Sequence, residues 1–544
     1  NGGPVRLSRP LDFLVIADHS DNMGFFPDMF AGKEHILSDP TGKDWYERVK
    51  RGDGVSVALE LIGLFSQGEF PEALIYKPDS QPYKDAWAKT VAAAEEFNDP
   101  GKFTAFIGYE WTSLLRGNNM HRVVIYKDGG DKGGSMVPFT TIAPEGSTNP
   151  RDLWTWMEGY QEKTGGDVLA IPHNGNLANG IMFPMEVQND GKEIDISYVE
   201  RRARWEPLYE ATQIKGDGET HPLLSPDDEF ADFETWDIGN LDVSEAKSDD
   251  MLPGEYAREA LKRGLLLEEN LGTNPYKFGM IGSTDSHTSL ATTQEDNFFG
   301  KHSGAEPGPE RMTHPFMSND NGTIMGWQQV ASGLAAVWAR DNTRAALFEA
   351  MERKEVYATT GTRMMVRFFG GWEFSDNDLN NRQPAFAGYE KGVPMGGDLP
   401  DRGKAKAPTF MVYALRDTMG ANLDRIQIVK GWQEGGKTLE KVYDVSWSGD
   451  RKPNRDGKLP AVGNTVDAKA ANWTNTIGAA ELATVWSDPD FDPDQRAFYY
   501  ARVIEIPTPR WSTHDAFRFG VEIPEGAPVS VQDRAYTSPI WYTP

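Results

Sequence analysis

Residues 278–287 read FGMIGSTDSH, and residues 11–19 read LDFLVIADH. Each is a short apolar run, the pattern of a strand buried on both faces, that breaks directly into polar, metal-ligating residues. Working outward, the same grammar recurs at 103–110 (FTAFIGYE), at 121–126 (HRVVIY) and at 168–174 (VLAIPHN). Between and after these runs lie helical patterns at 85–98, which is rich in Ala, Lys and Glu, and at 150–164, 255–263 and 344–353. Buried strands alternating with helices predict an α/β fold with a parallel sheet or barrel. After about Thr360 the helical period fades. Apolar runs at 364–369, 409–413, 425–429, 439–447 and 497–505 stand between Gly, Pro, Asn and Asp clusters, which predicts an antiparallel, sandwich-like β domain. The expected division is therefore 1–360 and 361–544, with long polar insertions at 222–250 and 297–327.

The chain has 544 residues, a formal charge of −27 and no cysteine. A chain of this length buries a large core without disulfides. The lack of cysteine excludes thiol catalysis, iron–sulfur clusters and Cys-ligated zinc. The acidic balance argues against nucleic-acid and anionic-membrane partners, whose phosphates call for Lys and Arg. No stretch approaches the roughly 20 apolar residues of a membrane helix. The chain opens Asn1-Gly-Gly-Pro without an initiating Met or a basic-then-apolar leader. An acidic, cysteine-free composition suits a periplasmic or secreted protein and is compatible with the cytoplasm.

The histidines carry the chemistry. His19, His173 and His287 each follow an apolar run, Glu110 does the same, and His121 opens a strand. In parallel α/β proteins the C-terminal strand ends form the active-site rim. Neutral imidazole and carboxylate suit Zn, Mn or Fe. Asp285-x-His287 puts two such groups on one side of an extended segment, whereas in Asp18-His19 the neighbours point apart, leaving Asp18 to orient or cap. Asn174, Glu219 and His221 are candidates to line the site or contact substrate. Arg122 and Arg363 are candidate phosphate clamps, set against ordinary structural roles for both. The run 488–494, DPDFDPD, is a candidate Ca²⁺ loop, although it lacks the Gly and closing Glu of an EF-hand and reads more simply as a solvated turn. The sixteen Trp read mainly as core and interface packing.

The order DH, GYE, strand-initial His, IPHN and GSTDSH resembles the polymerase and histidinol phosphatase (PHP) superfamily, and more narrowly its domain-of-unknown-function family 3604. RPLDFLVIADH, FIGYEWTS, NNMHRVVIYKD, IPHNGN, IGSTDSHT, VYATTGTR and IPTPRWSTHDA carry the resemblance across nearly the whole chain. It implies a distorted, TIM-like (β/α)7 barrel holding two or three divalent ions and a phosphoesterase activity. Glu110 would bridge, His121 and His173 would complete one metal, His19 and His287 would hold another, and Asp285 with Glu110 a third. The family's opening His-x-His is expected upstream of residue 1, on a continuing chain or on a separately retained N-terminal segment. On this reading Glu110, Asp285 and Arg363 are the catalytic candidates acting on a small phosphoester. Two alternatives stand beside it: an amidohydrolase-type C–O or C–N hydrolase, and a non-catalytic glycan- or polymer-binding protein with structural metals.

Overall fold

The computed structural model describes residues 5–302, 305–319 and 321–544. The fold is mixed α/β. Strand β1 (Phe13–Val15) pairs in parallel with β2 (Thr104–Phe106). The connection between them carries α1 (Phe25–Ala31), α2 (Pro40–Lys50), α3 (Gly54–Gln67) and α4 (Gln81–Phe97). Only the last of these has a counterpart in the sequence reading. In α4 the buried residues Tyr83, Trp87 and Val91 fall four apart, one face of a helix, and Trp87 packs edge-on to Tyr109.

Strand β3 (Gly108–Trp111) follows β2 directly, and β4 (Arg122–Tyr126) returns beside it, antiparallel. Next come α5 (Pro150–Thr164) and β5 (Val168–Pro172), which is again antiparallel to β4. The expected parallel order fails at β4 for a simple reason. Its link to β3, residues 112–121, folds back on itself as a hairpin arm, Leu114–Leu115 against Asn118–Asn119, and carries no helix to make the crossover that a parallel pair needs. Then follow α6 (Ile196–Trp205), β6 (Leu208–Gln213), α7 (Ala257–Leu271) and β7 (Gly279–Gly282), with β6 and β7 parallel. At Gly282 a Cβ would stand 2.7 Å from the Thr359 carbonyl oxygen and 2.9 Å from the Leu334 nitrogen, so glycine is what lets β7 lie against the next strands.

Those strands are β8 (Leu334–Val337) and, after α8 (Arg344–Glu352), β9 (Val356–Thr359). No closed barrel forms among the described residues: the strands sit in several short sheets. The unpaired edges of β1 and β8 border a cavity of about 940 Å³, walled by Phe13, Val15, Ile171, Leu208, Ile281 and Leu334.

The remaining chain is mainly antiparallel. Strands β10 (Met365–Gly371), β11 (Gly392–Pro394), β12 (Thr409–Leu415) and β15 (Glu481–Ser487) make one sheet. Strands β13 (Leu423–Glu434), β14 (Lys437–Trp447), β16 (Ala497–Glu505), β17 (Arg534–Thr537) and β18 (Ile540–Tyr542) make the other. Alternate residues of both sheets share one core, in which Val366, Phe368, Phe410 and Val412 meet Ile426, Ile428, Tyr499 and Val503. The second sheet also takes in β8 and β9, where Tyr357 pairs with Thr537. The division expected at 360/361 therefore cuts through a sheet. A helix absent from the sequence reading, α9 (Trp511–Phe519), lies between β16 and β17. No helix among the described residues is long and apolar enough to cross a membrane.

Candidate metal centre

The end of β3, the start of β4 and the end of β5 lie on one edge of the antiparallel sheet, because Trp111 pairs with Arg122 and Arg122 with Pro172. That edge carries Glu110, His121 and His173, all buried. Glu110 Oε1 lies 2.6 Å from His121 Nδ1 and 3.1 Å from His173 Nε2. Oε2 lies 3.2 Å from His19 Nδ1, which is also 2.7 Å from Thr112 Oγ1. His19 is placed by a bridge to Glu110, with the Glu110 amide donating to the Asp18 carbonyl. The rings of His287, His19, His121 and His173 follow one another edge to face, with centroids 5.3, 6.4 and 5.4 Å apart.

The electrostatics suit a cation. Burial opposes the charged form of Glu110, yet His19 and His121 outweigh it and hold the carboxyl well below its usual range. Burial pushes His121 down to about 4 despite Glu110, which leaves the neutral imidazole that metals bind. His19 is raised: the Glu110 carboxylate overcomes its desolvation. His287 is pushed well down by burial and by the Lys301 ammonium. Asp21, beside these groups, is raised to about 6 by burial, against the Thr141 hydroxyl and amide that it accepts from.

One ligand atom each from Glu110, His121 and His173 lies within 4.8 Å of the others, the only such metal-ready group among the described residues. The donor set, two neutral imidazoles and a carboxylate, fits a divalent transition metal. The far nitrogens of both rings, His121 Nε2 and His173 Nδ1, are buried without a hydrogen-bond partner, so the orienting contacts act on the backbone instead. Asn119 Nδ2 donates to the His173 carbonyl at 2.7 Å and to the Asn174 carbonyl at 3.2 Å. Asn174 adopts the left-handed conformation (φ 49) and its Oδ1 accepts from Gln213 Nε2 at 2.6 Å.

Asp285 and His287 reach the same cleft from the end of β7, 3.2 Å apart. Asp285 also sits at positive φ, 47°. Its carboxylate meets two lysines absent from the sequence reading, Lys215 and Lys301, both buried. Lys301 is lowered to about 8 and Lys215 well below its ordinary value, in both cases chiefly by burial. Glu210, buried on β6, accepts from Ser283 Oγ and keeps Oε1 unpartnered. A Lys two residues beyond a buried strand end, in QIK after β6, is the one sequence signal that points here.

The other candidates go elsewhere. Arg363 borders the cavity, but its guanidinium donates to the Pro10 and Arg9 carbonyls. Arg122 is fully buried against Glu206, with Nε to Oε1 at 3.1 Å. Glu219 is bound by Arg258, Arg502 and Tyr500, and His221 faces Asp237 and the Tyr256 ring, both away from the cleft. In the 488–494 run, Asp488 takes the Lys430 ammonium at 2.6 Å and Asp490 the Lys441 ammonium.

The whole chain, residues 1–544, matches one family model, described as "Protein of unknown function (DUF3604)". The chain belongs to that family. Comparison with curated proteins gives no match, and neither does comparison with solved structures.

Proposed function

We propose that this protein is a metal-dependent hydrolase of the PHP type that acts on phosphate esters, its short sheets β1 to β9 standing as an open, barrel-like arrangement around the cleft. One observation carries the reading: Glu110, His121 and His173 converge, buried and with no lysine or arginine paired to Glu110, beside a large cavity. A divalent ion held there supplies Lewis-acid polarisation of a phosphoryl oxygen and activation of water. Glu110 and the two imidazoles hold that ion. His19, with Nδ1 tied to Thr112 and Glu110 and its side chain 44% exposed, presents its other edge to the cleft, where it can pass a proton to a leaving oxygen. Asn119 and Gln213 fix the His173–Asn174 backbone that the ligand stands on. Asp18, on the cavity wall beside His19, positions β3 through its carbonyl.

The test is metal analysis of purified protein by mass spectrometry, followed by turnover of generic phosphomono- and phosphodiesters with and without chelator. Chelator-sensitive hydrolysis that is lost in Glu110→Ala is the expected result. Bound metal without phosphoester turnover would sink the phosphoesterase reading, and turnover of carboxylic esters or amides instead would replace it with the amidohydrolase alternative.

A further inference from the structure

The two ends of the histidine row differ in what occupies their carboxylate. An ionised carboxylate offers about four lone-pair positions. On Glu110 the near contacts are imidazole nitrogens, which in their neutral form can turn a lone pair to a metal. On Asp285 the positions are filled. Oδ2 takes the Lys215 ammonium and Gln213 Nε2 at 2.8 Å. Oδ1 takes the Lys301 ammonium at 3.0 Å and stands 3.2 Å from His287 Nε2. Lys301 Nζ further donates to the Asp285 carbonyl at 2.6 Å, and the Lys301 carbonyl accepts from the His287 amide at 2.7 Å. Asp285 and its partners are thus locked as one unit, in a backbone conformation that non-glycine residues seldom adopt.

Of the carboxylates that line the cavity, Asp12, Asp18, Glu110, Glu210, Asp285 and Asp341, it is Asp285 that both Lys215 and Lys301 meet. A metal at Asp285 would have to displace two buried lysine amino groups that already fill its carboxylate oxygens, and it would leave their nitrogens without that partner in a poorly solvated site, which is strongly unfavourable.

We infer that the centre takes one divalent ion, at Glu110, His121 and His173, and that Lys215 and Lys301 hold the place of a second beside Asp285. The Asp285–His287 pair, which the PHP resemblance assigns to further metals, does not fit that role in this arrangement. The inference rests on the metal centre of the proposed function and not on its substrate.

The full-length chain, stripped with chelator and reloaded with Mn²⁺, gives the test. Titration calorimetry and elemental analysis should return one equivalent, and the electron paramagnetic resonance of the bound ion should be that of an isolated Mn²⁺. Asp285→Asn, which keeps the shape, should retain one equivalent with affinity within about threefold. His173→Ala, which leaves the lysine cluster intact, should bind none. Two or more equivalents, a spin-coupled signal, or loss of the ion in Asp285→Asn would overturn the inference. The wild-type stoichiometry and spectrum decide it even if a variant fails to fold. Two ions with phosphoester turnover overturns this inference alone, whereas one ion without turnover overturns the phosphoesterase reading alone.

Discussion

Two buried ionic clusters in this molecule are built on opposite plans. Around Glu219, Asp228, Arg258 and Arg502 every charge is answered: Arg258 Nη2 meets Asp228 at 2.8 Å, Arg502 meets Asp228 at 2.6 Å and Glu219 at 3.1 Å, and Arg258 reaches Glu440 at 3.0 Å. At the candidate metal centre the side-chain partners of Glu110 are imidazoles, and atoms of His121, His173 and Glu210 have no hydrogen-bond partner. The first cluster holds the 217–230 segment onto the C-terminal sheet. The second has capacity left over, and unfilled capacity is what a ligand site needs.

The comparison breaks most sharply at His173. His173→Ala is expected to lose bound metal and to lower turnover by at least ~10³-fold, since the Lewis acid accounts for several kcal/mol of the barrier. Elemental analysis with a steady-state assay reads both, and the thermal transition should stay close to wild type. In the compensated cluster, Arg258→Met should instead cost about 3–5 kcal/mol of stability, because it leaves Arg502 alone to answer both Glu219 and Asp228 in the interior. Denaturant unfolding measures that loss, and metal stoichiometry should not change. Asn119→Ala is a smaller perturbation. It removes the hydrogen bonds on the His173 and Asn174 carbonyls and should weaken metal affinity about 10–100-fold, as loss of a supporting contact does. Calorimetry with Mn²⁺ would show it, and an unchanged affinity would assign Asn119 to packing alone.

The gentlest test is by pH. Burial raises Asp217 from 3.8 to about 7, and its Oδ2 has no partner. The folded state therefore binds the proton more tightly than the unfolded one. This contribution is fully favourable below pH 4 and is lost as pH rises toward 7, on the order of 1 kcal/mol per pH unit across the window. Asp217→Asn should flatten that part of the stability profile and leave the protein more stable than wild type above pH 7, as read from thermal melts at several pH values.

Much of this was legible in the sequence, for a physical reason. A buried strand that ends in DH, YE, PHN or DSH announces itself by the abrupt change from apolar to ligating residues. His19, Glu110, His121, His173, Asp285 and His287 do share one cleft. Three things were illegible. The direction of β4 depends on a hairpin arm of two residues per strand, below the resolution of periodicity. Glu219 and His221 carry the right chemistry, but their loop folds toward Arg258 and Tyr256 and not toward the cleft. Lys215 and Lys301 are two lysines among many in a charged sequence, and only the folded chain shows them meeting on one carboxylate.

The sheet that crosses residue 360 has a consequence for how the molecule comes into being. β7, which delivers Asp285 and His287, lies against β9, and the outer edge of β9 is closed by β17, nearly two hundred residues further along the sequence. Contacts between segments so far apart in sequence form late and slowly. During synthesis the Glu110 end can assemble from β3, β4 and β5 well before β17 emerges, whereas the lysine-bound end waits for it. The cleft is thus completed only after β17 has been made, and a fragment beginning at residue 361 would present β17 with its partner edge bare.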